Sequence, residues 1–153
     1  MAFTGSAICT SFYTDLLNGV FDFSSDTFRM ALYTSSATLD QSTTAYTTTN
    51  ELPTALGYTL GGEIITVTVT VLPTSNGYRV VADFSDASWP ASTFTARGGL
   101  IYDDTAAGNP SVAVIDFGQD KIWPGSNPVV FPPATAYAGF IVFETVISTP
   151  AVS

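Results

Sequence analysis

The chain has 153 residues and a formal net charge of −9, with 13 acidic side chains, four basic ones and no histidine. Without histidine, Ser-His-Asp and Cys-His catalytic arrangements are excluded, and with a single cysteine, Cys9, so are an internal disulfide and an ordinary zinc site. Four scattered cations cannot neutralise a row of phosphates, and no apolar stretch reaches the roughly 18 residues of a bilayer span, so we expect no nucleic-acid partner and no membrane partner.

The first predicted element is a helix over residues 7–18. Ile8, Phe12 and Leu16 recur at a spacing of three to four, which is typical of a helix with one apolar side. Ser6 is a suitable N-cap, and Gly19 stands where a left-handed C-terminal residue is favoured. We expect this helix to cover part of a sheet.

The period then changes from three or four to two. Over residues 27–33, Phe28, Met30 and Leu32 alternate with Arg29, Ala31 and Tyr33. Such alternation predicts a strand with a large apolar inner face.

Residues 35–57 form a long polar stretch rich in Ser and Thr. Connections of this length are uncommon in compact domains unless they bind something. Two interpretations stand at this point. The stretch is either a binding or interface segment, or an irregular surface loop with one short strand around Tyr46.

The clearest strand of the sequence runs from Ile64 to Leu72, where valines alternate with threonines. This pattern predicts that Ile65, Val67, Val69 and Val71 form a buried face and that the threonine face is wet or meets a neighbour. Asn76-Gly77 is a strong hairpin signal, so residues 78–84 are expected to return as the paired strand.

Further short strands are predicted between turn signals, over residues 93–96, 99–103, 111–117, 128–131 and 137–147. Gly98-Gly99 indicates a bulge or a tight bend. The predicted fold is mainly β. It is a single-domain antiparallel β-sandwich or distorted, jelly-roll-like barrel with one N-terminal helix, spanning residues 1–153 and ending in a short tail at 148–153.

Aspartates occur in close pairs along the chain. Calcium requires six to eight oxygen ligands, and Asp103 and Asp104 are the best metal candidates. Aspartate is also a common turn residue because it hydrogen-bonds its own backbone, and this turn interpretation is the stronger one. We therefore predict no metal, no cofactor and no catalytic residues.

Two tryptophans and one arginine are further candidates for contact. Trp89 and Trp123 each precede a proline near a turn, where an exposed ring could stack on a sugar or anchor a partner; sealing the end of a core is the commoner role. Arg97 is followed by two glycines and is expected to make a structural or interface ion pair.

Several runs of the sequence resemble small virion proteins of tailed bacteriophages, and the resemblance extends over most of residues 8–143. These runs are residues 10–19 (TSFYTDLLNG), 26–35 (DTFRMALYTS), 43–51 (TTAYTTTNE), 57–62 (GYTLGG), 94–102 (FTARGGLIY) and 112–118 (VAVIDFG). The resemblance implies a structural component of the particle. It brings no catalytic residues with it.

The expected function is therefore that of a non-enzymatic capsid decoration or cement protein, located in the virion. Its expected partners are the major capsid protein and further copies of itself. The N-terminal segment and residues 35–57 are the expected contact regions, and the candidate interface residues are Phe3, Tyr13, Tyr46, Thr48, Glu51, Arg97 and Trp123.

Two alternatives remain open from the sequence. The first is a tail, adaptor or fibre component that binds a host glycan. The second is a carbohydrate-binding module outside any virion, which would depend on exposed aromatic rings.

Overall fold

The structure, a computed structural model, describes residues 3–75, 77–123 and 141–144. Its elements in chain order are β1 (Ala7–Ile8), α1 (Thr10–Leu17), β2 (Phe28–Tyr33), β3 (Glu63–Ile65), β4 (Val67–Thr74), β5 (Gly77–Phe84), β6 (Thr95–Asp103), β7 (Ser111–Ile122) and β8 (Ile141–Glu144).

The strands form two sheets. One has five strands in the order β1-β7-β6-β2-β3, and the other has three strands in the order β4-β5-β8. All the pairs within them are antiparallel. The prediction of a mainly β, sandwich-like fold with two antiparallel sheets and one short helix is confirmed.

The helix is shorter than predicted at its N-terminus. Ala7 and Ile8 form a strand that pairs with β7, so their backbone groups are satisfied by the sheet and the helix begins at Thr10. The N-cap is Cys9, and the prediction of Ser6 is wrong. The Ser6 hydroxyl instead accepts the backbone N–H of Asp116 at 2.9 Å. Gly19, at φ 72°, has the left-handed conformation that was expected.

Strand β2 is confirmed, but it has two buried faces rather than one. Phe28, Met30 and Leu32 are at most 1% exposed, and so are Ala31 and Tyr33 on the other side. β2 lies between β6 and β3 in the larger sheet. Because residues on both of its sides are buried, both faces of the sheet are covered at this strand.

The predicted strand 64–72 is divided between the two sheets. β3 pairs with β2, the strand is interrupted at Thr66, and β4 pairs with β5. Ile65 is buried as predicted, but Val69 and Val71 are 51% and 61% exposed. Their predicted burial is wrong, because the β4–β5 hairpin extends away from the core in which Phe84 lies.

The remaining strands differ in their limits. The two strands predicted at 93–103 form one continuous β6, with a register shift between Ala96 and Gly98 that confirms the predicted irregularity. β7 continues to Ile122 instead of ending at Phe117. Thr74 pairs with Gly77, so the predicted tight hairpin is present.

Several predictions fall outside the described residues. They are Asn76 of the hairpin turn, the strand at 128–131, both ends of the strand at 137–147 and the tail at 148–153.

Aromatic side chains join the helix to both sheets. The Phe12 ring in α1 lies 5.0 Å from Phe21, and Phe23 stacks on Phe28 at 5.2 Å. Phe28 in turn contacts Phe84 of β5 edge-to-face at 5.5 Å. Because these contacts are continuous, one apolar core connects the helix, the larger sheet and the base of the smaller one.

We predict that Gly62→Ala destabilises the fold by about 3 kcal/mol or more. Gly62 has φ 77°, and a Cβ there would overlap the Met30 carbonyl and lie 2.7 Å from Ala31 Cα. Gly108→Ala is the matched control, since Gly108 has φ 82° with no heavy atom near its Cβ position. It should cost only about 1 kcal/mol. Equal losses in urea unfolding would contradict the steric argument.

Candidate contact surface

One buried carboxylate, that of Glu51, joins the polar stretch 35–57 to the residues that follow it. Glu51 is 7% exposed, and its Oε1 accepts the Tyr58 hydroxyl at 2.6 Å and the Gly61 backbone N–H at 2.7 Å. Its Oε2 accepts the Tyr46 hydroxyl at 2.6 Å. With three donors, this buried carboxylate is well satisfied, and it joins Tyr46 of the stretch to Tyr58 and Gly61 just beyond it.

The same network supplies backbone partners to the second half of β2. The Leu32 N–H donates to the Tyr58 hydroxyl at 3.0 Å, and the Leu32 carbonyl accepts the Leu52 N–H at 2.9 Å. Tyr33 and Glu51 form a further bridge. The segment thus continues the pairing of β2 beyond Met30, where β3 has ended.

Tyrosine rings cover the sheet face beneath this segment. Tyr46 stacks on Tyr102 at 4.4 Å, the Tyr102 hydroxyl donates to the Gly61 carbonyl, and the Tyr33 hydroxyl donates to the Thr47 carbonyl. Burial, followed by the bond to Glu51, raises the pKa of Tyr58 and of Tyr46 well above the usual tyrosine range. These hydroxyls therefore remain protonated donors at any physiological pH.

Residues 35–57 form an irregular segment with a short bridge near Tyr46, as the second interpretation predicts, and the binding interpretation stays a prediction. Ala45 pairs with Pro110, and Ala37, Leu39 and Leu52 are buried. Glu51 and Tyr46 face inward to each other, whereas Thr48 is exposed. Among the candidate interface residues of this segment, Thr48 is the one with an open surface.

The other candidates are also dispersed. Phe3 is 6% exposed and lies against Gly98, where a Cβ would come within 2.5 Å of its ring. Tyr13 is 50% exposed on α1.

Arg97 Nε donates to Asp116 Oδ1 at 3.1 Å, so these two residues form a structural ion pair within the larger sheet. Although burial of Asp116 opposes the effect, the Gly118 N–H and the Arg97 guanidinium bring the pKa of Asp116 below its ordinary value.

Both tryptophans lie inside the fold. Trp89 is 0% exposed and Trp123 is 6% exposed, and their rings meet at 6.4 Å in a cluster with Phe94. This is the core-sealing role. Because both rings are buried, neither has an exposed face on which a sugar could stack.

Asp103 and Asp104, the metal candidates, point to different partners. Asp104 accepts Arg29 Nε at 2.7 Å. Asp103 is fully buried; its Oδ1 accepts the Thr105 and Ala106 N–H groups, which is the expected turn chemistry. Its Oδ2 is buried and has no hydrogen-bond partner among the described residues. Burial and then the Asp26 carboxylate raise the pKa of Asp103, against the lowering effect of the two N–H groups.

The clearest open surface is a face of the smaller sheet that sequence reasoning assigned to the core. Strand register places Val69 beside Ala82, Val71 beside Val80, and Val80 beside Phe143. Every residue of this face is apolar, and we call it the valine face: Val67, Val69, Val71, Pro73, Tyr78, Val80, Ala82, Phe84, Ile141 and Phe143.

The valine face is half buried and half exposed. Phe84, Ala82 and Ile141 belong to the core cluster. Val69, Val71, Tyr78 and Phe143 are 51%, 61%, 60% and 38% exposed. Contiguous exposed apolar surface of this kind is typical of interaction sites, whereas single exposed apolar side chains are ordinary. The sequence signal for this face is the alternation of valine and threonine in β4. The alternation indicates that the two faces of the strand differ, but it does not show which face is covered by the core.

Comparisons of the chain with protein-family models, with curated proteins and with solved structures find no match. In the described ranges, no helix is long and apolar enough to cross a membrane. No group of three or more Cys, Asp or Glu side chains in that same part of the chain is placed to hold a metal ion.

We predict that Glu51→Gln lowers the free energy of unfolding by about 2 kcal/mol. A glutamine amide has one acceptor oxygen, so its NH₂ group must face a hydroxyl or N–H donor that the carboxylate now accepts. Urea unfolding gives the loss, and faster proteolytic cleavage within residues 43–56 should accompany it. Glu63→Gln, at a half-buried position of β3, removes the same charge and should change stability by under about 0.5 kcal/mol.

We predict that Asp103→Asn makes the protein more stable at pH 7. The raised pKa means that the folded state binds the proton of Asp103 more tightly than the unfolded state does. The stability contribution of Asp103 is therefore greatest below the ordinary aspartate pKa of about 4 and falls as pH rises through the folded value. Asparagine resembles the protonated acid, since its oxygen can keep both N–H groups and its NH₂ can face Asp26.

The measurement is the free energy of unfolding at several pH values. The advantage of Asp103→Asn should shrink toward zero as pH falls to about 4. Asp104→Asn removes a charge from the same turn but loses the Arg29 contact, so it should bring no gain at pH 7. A gain for Asp104→Asn equal to that for Asp103→Asn would contradict the assignment to the Asp26–Asp103 pair.

Proposed function

We propose that this chain is a capsid decoration, or cement, protein of a tailed bacteriophage, and that it stabilises the shell of the major capsid protein. The observation that carries the proposal is the exposed half of the valine face, with Val69, Val71, Tyr78 and Phe143 at its centre. The resemblance of six sequence runs to small phage virion proteins supports the choice of the particle as its location.

The chemistry of this face suits contact with another protein. The charged residues of β5, Arg79 and Asp83, fall at the register positions that alternate with the valine face. A partner therefore meets an apolar centre without having to remove charges from water, as in the cores of protein interfaces. Apolar area removed from water contributes about 25 cal/mol per Å² before the costs of association.

The rigidity of the scaffold supports the same role. The inner half of the valine face is anchored in the core through Phe84, whose ring meets Phe28. The exposed half is therefore presented on a preformed sheet, and little conformational entropy is lost on binding.

Stabilisation of a shell follows from mass action. A protein that binds the assembled shell and not its separated subunits lowers the free energy of the assembled state. The contact region is the smaller sheet in this proposal, in place of the N-terminal segment and residues 35–57 expected from the sequence. Phe3 and Glu51 in those regions are taken up by internal contacts.

We predict that Phe143→Asp weakens binding of the purified protein to shells that lack it by about tenfold or more. The substitution places a charge in the middle of the proposed contact. Leu17→Asp is the matched control, since Leu17 is 88% exposed on α1, away from this face, and it should bind as the unchanged protein does.

The readouts are shell binding and the temperature at which shells release their DNA. Shells that lack the protein should open at lower temperature and under milder osmotic shock, and addition of the unchanged protein should restore them. If shells with and without the protein resist heat equally, it is not a cement protein. A location confined to the tail would favour the adaptor or fibre alternative.

A further inference from the structure

We propose that two copies of this chain pair through the outer edge of β4, about a two-fold axis at Val69, to form one continuous six-stranded sheet. The inference deepens the proposed function and rests on it in one respect: the doubled valine face is taken as the surface that meets the shell. The pairing itself is argued from the edge of β4.

The first step is that β4 is an edge. Among the described residues, its sheet neighbour is β5, and no strand lies on its other side. Proteins protect such edges with charged side chains, bulges or prolines. β4 has no charged residue and pairs with β5 without a register shift, and its proline is the seventh of its eight residues.

The second step is the direction of the backbone groups. The Ser85 N–H donates to the Thr66 carbonyl at 2.8 Å, and the Thr66 N–H donates to Ser85 Oγ at 3.0 Å, so the backbone of Thr66 faces β5. Alternate residues of a strand face opposite neighbours. The N–H and C=O groups of Val67, Val69 and Val71 therefore point to the outer edge.

Pro73 is consistent with this assignment. By the same alternation its nitrogen lies on the outer side, where the missing N–H costs no bond with β5. Pro73 also limits the usable edge, because a partner strand gains no donor there. The segment available for pairing is thus 67–72.

The third step is that this segment matches a second copy of itself. Residues 67–71 read Val-Thr-Val-Thr-Val, which is the same in both directions. In an antiparallel pair, residues opposite each other point to the same face of the sheet. A two-fold axis normal to the sheet must therefore lie midway between the two copies of one residue, so that this residue is opposite itself. An axis at Val69 pairs Val67 with Val71 of the second copy and Thr68 with Thr70.

This register satisfies the outward backbone groups of Val67, Val69 and Val71. Three valine pairs of the hydrogen-bonded kind exchange about six backbone bonds, and Pro73 stays outside the pairing. The valine faces of the two copies lie on the same side, because a two-fold axis normal to a sheet preserves its faces. The seam also carries no acidic side chain, which matters for two chains that each have a net charge of −9.

The test uses the whole chain in solution, without shells. Sedimentation over a range of concentrations should show a reversible dimer. Val69→Lys, which places two like charges beside the axis, should raise the dimer dissociation constant by about 100-fold or more. Leu17→Lys adds the same charge at an exposed position of α1 and should remain dimeric.

Cysteine cross-linking tests the register. Opposite Cα atoms of a hydrogen-bonded pair are about 5.5 Å apart, within disulfide reach, so Val69→Cys should give a cross-linked dimer under mild oxidation. Val71→Cys is the control, since its two copies would be about 14 Å apart. The native Cys9 is fully buried and needs no replacement.

Three results would overturn the inference. One is a monomer at all concentrations whose Val67, Val69 and Val71 amides are protected from hydrogen exchange, since another part of the same chain would then occupy the edge. Another is a monomer in solution whose Val69→Lys form loses shell binding, since the capsid protein would then be the partner that pairs with the outer edge of β4. The third is equal cross-linking through Val69→Cys and Val71→Cys.

A stable dimer that leaves shells unprotected would refute the cement function and leave the proposed pairing of the two copies intact.

Discussion

The fold depends on how the buried strand β2 satisfies its backbone. Both faces of β2 are covered, and β3 accompanies it only as far as Met30. An unsatisfied buried N–H or C=O costs about 1–3 kcal/mol, so the groups of Leu32 need partners from elsewhere. They find them in Tyr58 and Leu52, which are held in place through Glu51. One carboxylate thus allows an irregular polar segment to act as both a strand partner and a cover for the sheet.

The polar stretch 35–57 and the smaller sheet have different roles in the fold. The Ser- and Thr-rich stretch 35–57 packs inward through a few residues, among them Ala37, Leu39 and Leu52, while most of its Ser and Thr residues are exposed. The smaller sheet is instead anchored by Phe84 at one end and projects apolar side chains at the other. A protein with few charged side chains can thereby present an apolar contact face on a rigid support, which suits a role in assembly.

The proposed contact face and the proposed pairing edge use different groups of the same strand. Side chains of Val69 and Val71 contribute to the face, whereas their N–H and C=O groups form the edge. Side-chain burial against a shell supplies non-directional free energy, and backbone pairing fixes direction and register. A two-fold pair would double the area of the face without changing its chemistry, so each contact would strengthen the other through effective concentration.

The sequence by itself determined that the chain lacks histidine chemistry, that its strands alternate with a period of two, and that tight turns separate them. Period and turn chemistry are local, so strand β2, the β4–β5 hairpin and Gly19 at the helix end could be predicted. Only the tertiary structure decided what covers each face. Alternation in β4 distinguishes valine from threonine positions, but the break at Thr66 moves the strand to the second sheet and leaves Val69 and Val71 in solvent. In the same way, only folding brings Asp103 to Asp26 and turns Glu51 inward, because those partners are distant in the chain or set by the sheet beneath them.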